Sequence, residues 1–228
     1  MIDVHTHVLP FVDDGSDSLE KSLALVREEV SIGVTDVICT PHLRNNFRLT
    51  KEEVVSVFDD FKNQVDKEGI NVKLHLGREL YASKHYKTNV SKFGALMPDG
   101  KSVLIEFDFG FECEICETVY ELVKAGYTPI VAHPERYPYM TIDDALEVKN
   151  MGGRLQVNAD SVTALSLTKR KRFVNKLFSE NLVDFVASDI HFGRKNLLKK
   201  AYNLVCHKYG KDTAEKVFKG NAKKIIEG

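Results

Sequence analysis

The sequence predicts an α/β fold of parallel strands, each followed by a helix, closed or nearly closed into a barrel. Three observations predict it. Seven short apolar runs of strand length recur along the 228 residues, each followed by a stretch of helical periodicity. No linker, low-complexity stretch or membrane-length apolar run interrupts the alternation, so residues 1–228 read as one domain. Nearly every strand run also ends on an ionisable residue, the face on which parallel barrels keep their active sites.

The first run, Ile2 to Thr6, reads as a short buried strand. Alternate side chains of a strand share a face, so His5 and His7 are expected to point the same way. Pro10 and the Asp13-Asp14-Gly15 turn end this strand and bring a carboxylate back toward the imidazoles. A helix is expected from Asp17, with Glu20 as capping-box partner, a stripe of Leu19, Leu23, Val26 and Val30, and Gly33 beyond its end. Thr35 to Thr40 is the second strand and leads into Pro41-His42. Thr50 and Glu53 cap the next helix, with Val54, Val57, Phe58, Phe61 and Val65 as its stripe and Gly69 as its stop. Val72, Leu74 and Leu76 alternate along a third strand that runs out at Gly77-Arg78-Glu79.

Residues 80–101 have weak periodicity and read as mixed helix and loop. Val103 to Phe107 is the fourth strand, with Glu106 inside an apolar run, and the helix of Ile115, Val119, Leu122 and Val123 follows. Thr128 to His133 is the fifth strand, Arg154 to Asn158 the sixth, and Val183 to Ser188 the seventh, leading into Asp189-Ile190-His191. Helices are expected from Ile142 to the Gly152-Gly153 pair, from Thr168 to Asn181, and near 194–209, 212–219 and 221–227. The basic start of the second of these, residues 169–172, reads as a solvated face.

Composition narrows the function. A formal net charge of -1 argues against a nucleic-acid or membrane partner held by bulk charge. The N-terminus has no basic region followed by an apolar stretch, which predicts a cytoplasmic protein. The four cysteines, at 39, 113, 116 and 206, do not make a disulfide framework in a chain this long and read as reduced structural thiols. Cys39 and Arg44 are separated by four residues including a proline, which does not make a cysteine-phosphatase phosphate loop.

What stands at the strand ends is a constellation. The first strand gives His5 and His7, the second His42, the third Glu79, the fourth Glu106, the fifth His133, and the seventh Asp189 and His191. The sixth offers only Asn158. Asp14, Glu79, Glu106 and Asp189 would crowd four carboxylates into one cup. At an effective dielectric of about 20, each pair some 4–6 Å apart repels by roughly 3–4 kcal/mol. A marginally stable fold cannot absorb several such terms without protons or cations. Imidazoles beside carboxylates with no thiolate point to divalent metal, with Mn2+ favoured over Fe2+ or Zn2+ by the oxygen-rich balance. His75, His85 and His207 lie away from strand ends and read as satisfied or surface histidines.

In order along the chain stand D-V-H-T-H and V-D-D-G at the start, T-P-H at 40–42, R-E-L-Y at 78–81 and I-E-F at 105–107. A-H-P-E-R-Y at 132–137, Q-V-N at 156–158 and A-S-D-I-H at 187–191 follow. On these motifs the chain resembles the polymerase-and-histidinol-phosphatase (PHP) family. Within it, the chain is similar to the metal-dependent bacterial protein-tyrosine phosphatases of capsule and exopolysaccharide operons. The resemblance implies a distorted seven-stranded (β/α) barrel and three metal ions, commonly manganese. Carried over residue by residue, His5, His7, Glu79 and Asp189 hold one ion, and Glu79, Glu106 and His133 a second. Asp14, His42 and His191 take the third, with Asp14 as the alternative acid. Arg78 departs from the pattern, since relatives often carry a small residue before the glutamate; this puts local electrostatics in doubt.

The activity so implied is hydrolysis of phosphotyrosine in proteins, with the tyrosine-rich tail of a bacterial tyrosine kinase as partner. Two cations lower the pKa of a shared water and give a hydroxide for in-line attack on phosphorus. Arg136, whose fork matches phosphate, and Arg194 are the candidate clamps on the phosphoryl oxygens. A phenol of pKa near 10 leaves with less acid help than an aliphatic alcohol. The alternatives are a small phosphomonoester such as histidinol phosphate, and a non-catalytic metal-stabilised binding module. Either residues 44–48 or residues 81–86 shape the entrance.

Overall fold

A computed structural model describes residues 1–44, 46–94, 96–165 and 167–228. Asn45, inside one of the two expected entrance loops, and Ala95, inside the weakly periodic 80–101 stretch, lie outside the described residues. Among the described residues nine strands form, in chain order β1 (Ile2–Thr6), β2 (Asp36–Cys39), β3 (His42–Leu43), β4 (Lys73–Leu76), β5 (Glu79–Tyr81), β6 (Ser102–Glu106), β7 (Thr128–Ala132), β8 (Arg154–Asn158) and β9 (Phe185–Ala187). All pair in parallel. They divide into a three-stranded sheet, β1-β2-β4, and a six-stranded sheet, β3-β5-β6-β7-β8-β9.

The expectation of seven strands in one ring is corrected by two interruptions. The second expected strand splits at Thr40-Pro41 into β2 and β3, and the third splits at Gly77-Arg78 into β4 and β5. Pro41 has no N–H to give a ladder. A side chain at Gly77 would meet Met97 Sδ at 2.9 Å. Glu79 therefore begins a strand of its own, in register with His42 on β3, instead of trailing off the third. Among the described residues no ladder closes the two sheets, and an isolated bridge between Thr6 and Ile190 is what links β1 to the end of β9.

Helices follow the strands. They are α1 (Leu19–Ser31), α2 (Lys51–Lys67), α3 (Tyr86–Phe93), α4 (Ile115–Lys124), α5 (Ile142–Asn150), α6 (Ala159–Thr163), α7 (Lys169–Ser179), α8 (Leu198–Tyr209), α9 (Lys211–Glu215) and α10 (Asn221–Glu227). The Thr50–Glu53 capping box forms as expected on α2. On α1 it does not. Ser18, extended at φ -157, caps the helix by accepting from Lys21 N, while Asp17 pairs with the Lys21 ammonium at 2.6 Å. Asp and Ser cap equally well, so adjacent candidates are separated only by the backbone angle each adopts. The short α6 is additional to the predicted elements, the helix expected near 212–219 divides into α9 and a π turn at Lys216–Gly220, and the helix placed near 194–209 starts only at Leu198.

The sheets are buried on both faces, as parallel sheets with covering helices must be. Ile2, Val4, Ile38, Leu104, Ile130, Ala132, Phe185 and Ala187 form an interior cluster, sealed by Ala222 and Ile225 of α10. The intervening residues, such as Val37, Val103, Ile105, Val131, Leu155 and Val186, pack outward against the helices. The period of two thus assigns each strand residue to one of two cores. No described helix is long and apolar enough to cross a membrane.

Candidate metal centre

Beyond the interior cluster, the C-terminal strand ends hold polar groups. On β1, Ile2 and Val4 face the interior cluster, whereas Asp3 accepts from the Ser188 amide at 3.1 Å. Strict alternation would put His5 on the Asp3 face. The register of β1 against β2 slips between Asp3 and Thr6, and beyond the slip His5 joins His7 over the cup. A local irregularity thus re-aims a side chain next to a site. Gly15 is needed where the following turn folds back. A side chain there would lie 2.1 Å from the His7 carbonyl oxygen.

The outer nitrogens of both imidazoles are committed. His7 Nδ1 lies 2.7 Å from Asp13 Oδ2 and His5 Nδ1 lies 2.8 Å from Gln156 Oε1. Carboxylate and carbonyl oxygens accept, so each Nδ1 carries a proton and, in the neutral imidazole that a metal would require, each Nε2 presents a lone pair. The two Nε2 atoms then face each other at 3.2 Å. Glu79 Oε2 lies 3.3 Å from both of them and 2.8 Å from His42 Nδ1. Nevertheless Glu79 Oε2, His42 Nδ1 and Glu106 Oε1 are buried without a hydrogen bond. Lone pairs crowded this way repel unless a cation stands among them, and buried polar atoms without partners are costly. This donor set fits divalent metal ions.

Candidate ligand atoms fall into four overlapping groups, each with its atoms within 4.8 Å of one another. They are His7, Asp14, His42 and His191; His5, His7 and Asp189; His5, Glu79 and His133; and His42, Glu79 and Glu106. All nine residues expected as ligands are thus brought together. Glu106 groups with His42 and Glu79, and its Oε2 stands 3.8 Å from His133 Nε2. His133 and Asp189 have positive φ, 34° and 52°. Non-glycine residues held there cluster at functional sites.

The electrostatics express a demand for positive charge. Burial alone would lower His5, but the Glu79 and Asp189 carboxylates outweigh it and raise its pKa to about 9. Burial, reinforced by the charge of Glu79, pushes Glu106 up to about 8. Burial opposes ionisation of Asp189, yet His5, His133 and His7 bring it down to about 2. Asp14, half exposed, is held well below the usual carboxylate range by His191, with His42 and Arg44 adding to the effect.

The two expected clamps sit differently. Arg136 Nη1 donates to Asp189 Oδ2 at 3.2 Å, with its guanidinium 4.2 Å above the Phe109 ring. Arg194 lines a cavity of about 470 Å³ together with Arg136, Asn158 and Asp189. Arg170 lines that cavity too, while Lys169, Arg170 and Arg172 are exposed, as expected of a solvated face at residues 169–172. A second cleft, about 360 Å³, is lined by Arg44, Asn46, Tyr81, Glu106, Asp108 and Phe109. It draws on both loops expected as alternatives for the entrance.

Four residues gain roles that local sequence does not assign. Asp13 accepts from His7 Nδ1 and from the amides of Gly15 and His42. Gln156 donates from Nε2 to Asn158 Oδ1, and Asn158 donates from Nδ2 to Asp189 Oδ2, both at 2.8 Å. A hydrogen-bonded path therefore joins His5 to Asp189 behind the cup, the second layer that orients metal ligands. Arg44 Nη2 donates to Asp14 Oδ2 at 2.8 Å. The alternation in Q-V-N was the available signal for Gln156, and the D-D-G turn for Asp13. Arg78 is buried and its guanidinium donates to the carbonyls of Leu49 and His42, so the departure at this position binds backbone and no ligand. His75 is satisfied by Asp36 at 3.2 Å. Cys39 is fully buried and its thiol is pushed up by that burial, consistent with rejecting it as a nucleophile, and the four cysteines are free thiols.

The family model described as capsular polysaccharide synthesis, CpsB/CapC, matches residues 1–227. The tyrosine-protein phosphatase CpsB of Streptococcus agalactiae is 33% identical over 239 residues, covering 100% of this chain and 98% of that protein. A crystal structure from the work on YwqE of Bacillus subtilis and CpsB of Streptococcus pneumoniae, unique metal-dependent tyrosine phosphatases, superposes with a TM-score of 0.90. It is 26% identical, covering 100% of this chain and 94% of that one. The histidinol phosphate phosphatase of Lactococcus lactis, at 14% identity and a TM-score of 0.61 over 94% of each chain, shares the fold.

Proposed function

The chain belongs to the CpsB/CapC family of capsular polysaccharide synthesis, and from that premise we propose that it is a metal-dependent protein-tyrosine phosphatase. The observation that carries the reading is Glu79 Oε2, buried without a hydrogen bond amid three imidazole nitrogens at 3.3, 3.3 and 2.8 Å. Support for the substrate comes from the tyrosine-phosphatase relatives that match over nearly their whole length.

His5, His7, Glu79 and Asp189 would hold one ion, Glu79, Glu106 and His133 a second, and Asp14, His42 and His191 a third. Bound divalent cations lower the pKa of water toward neutrality and offset phosphoryl charge. The donor set, five imidazoles and four carboxylates without a thiolate, suits Mn2+, Fe2+ or Zn2+, and of these we take Mn2+. Arg136, already braced by Asp189 and Phe109, would present its remaining N–H groups to the phosphoryl oxygens, and Arg194, which lines the same cavity, would be the second clamp. Asp14 is ionised at neutral pH and has no proton to give, which favours ligation over acid catalysis.

We read the fold as a distorted barrel of seven chain passes, in which β2 with β3 and β4 with β5 each count as one, and residues 1–228 as one phosphatase domain. The fitting partner is the tyrosine-rich tail of a bacterial tyrosine kinase acting in capsule or exopolysaccharide synthesis, in a cytoplasmic setting. The test is phosphate release, with Mn2+ present, from a phosphotyrosine peptide and from histidinol phosphate. Turnover of the peptide, abolished by a tight chelator, is expected. A strong preference for histidinol phosphate would replace the reading, and activity untouched by chelator would end the metal mechanism.

A further inference from the structure

The 470 Å³ cavity beside Asp189 holds more cationic side chains than one phosphoryl group needs. Arg136, Arg170, Arg194 and Lys195 line it, against the carboxylates of Asp160 and Asp189. Arg136 is committed to Asp189. Among the described residues, Arg170, Arg194 and Lys195 make no ion pair, even though Asp160 shares their cavity. In a chain with a formal net charge of -1, this is a local concentration of charge. Such clefts focus potential on an anionic ligand.

The cations are presented from fixed backbone. Arg170 stands in the first turn of α7, which packs against the Pro134–Arg136 turn. Lys195 precedes Asn196, which is buried and anchored to α1. The Asn196 amide donates to Glu28 Oε1 at 3.1 Å and its Nδ2 donates to Glu29 Oε1 at 2.6 Å. Sites of about 300–1,000 Å³ enclose whole small ligands, so the cavity has room beyond the reacting group. No aromatic side chain lines it among the described residues, so it has no platform for stacking a nucleotide base.

We propose that, within this cavity, Arg170 and Lys195 form a second anion subsite that binds an acidic side chain flanking the reacting phosphotyrosine of the substrate peptide. The inference rests on the phosphotyrosine reading above and adds to it a preference for acidic or multiply phosphorylated sequence.

The probes are fluorescein-labelled peptides carrying the non-hydrolysable phosphonomethyl-phenylalanine at the reacting position, with neutral, glutamate or second phosphonate flanks. Binding to the full-length, manganese-loaded protein is read by anisotropy. The glutamate flank is expected to tighten Kd about threefold and the second phosphonate about tenfold relative to the neutral peptide. The Arg170→Ala/Lys195→Ala double variant should bring both ratios close to one, and Arg170→Lys should restore part of the phosphonate preference. If the double variant fails to fold by circular dichroism, Arg170→Gln and Lys195→Gln singly should each lower the ratios. Equal Kd values for the three peptides in the wild type would overturn the proposal, as would a preference that survives the substitutions. Phosphate release from a plain phosphotyrosine peptide is read separately. Turnover without a flank preference sinks the subsite alone, whereas flank-dependent binding without turnover sinks the phosphatase reading and leaves the subsite.

Discussion

The floor of the cup and its lip carry the same kinds of group in opposite settings. On the floor, His5, His7 and Glu79 are buried, and the imidazoles are oriented from behind by Gln156 and Asp13. On the lip, Asp14 is half exposed; its Oδ1 stands 3.5 Å from His42 and 3.6 Å from His191, while Arg44 takes its other oxygen. The floor is pre-organised, so a cation bound there meets ligands that lose little freedom. The lip is held by a guanidinium that a cation must compete with and that water screens. The difference predicts tight metal retention at the floor and easier exchange at the lip.

The comparison can be broken at the floor first. His5→Ala/His7→Ala should lose both bound metal and at least about 10³-fold in phosphate release, by elemental analysis and steady-state assay. Retained metal would show that the floor is not the retentive part. Next is the guanidinium that touches both the cup and the cavity: Arg136→Ala should cost about 10²-fold in rate while keeping its metal content. A wild-type rate would remove Arg136 from the reaction. Behind the floor, Asp13→Asn should weaken metal affinity by about 10–100-fold, whereas Arg44→Ala, on the lip, should change it by only a few fold. Equal effects in metal titrations would erase the distinction.

The smallest effect tests the layer behind the site. Glu135 is buried, accepts from the Asn158 amide at 2.8 Å through Oε1, and leaves Oε2 without a partner. Burial pushes its pKa to about 7. Because this carboxyl is raised in the folded state, the fold keeps a proton that the unfolded chain has already lost above about pH 4.5. Stability from this group is present below that pH and is lost as pH rises through about 7. Glu135→Gln should flatten that loss, roughly 2–3 kcal/mol between the two pH values, in denaturant titrations across pH. An unchanged slope would place the proton elsewhere.

Much of the site was legible because its residues stand at strand ends, and the end of a strand is a position that local periodicity gives. His42, Glu79, Glu106, His133, Asp189 and His191 follow apolar runs closely, and parallel packing brings such positions to one face. That exposed Arg170 also lines a cavity was not legible, because a basic run at a helix start looks the same on an open surface and beside a cavity. Asp17, expected to cap the first helix, gives way to Ser18 because both residue types cap well and only the backbone angle decides between them.

The sequence alone determined the order of strands and helices, the mixed imidazole and carboxylate character of the site, and the near-neutral formal charge. These depend on residue type and local period. Tertiary structure decided the breaks at Pro41 and Gly77, the slip in β1 that turns His5 into the cup, and the path from His5 through Gln156 and Asn158 to Asp189. Each depends on what stands across from a residue in space: a ladder partner, a Met97 sulfur, a carbonyl oxygen. Sequence distance does not encode that, as in the Asp3 carboxylate that accepts from Ser188, 185 residues along the chain.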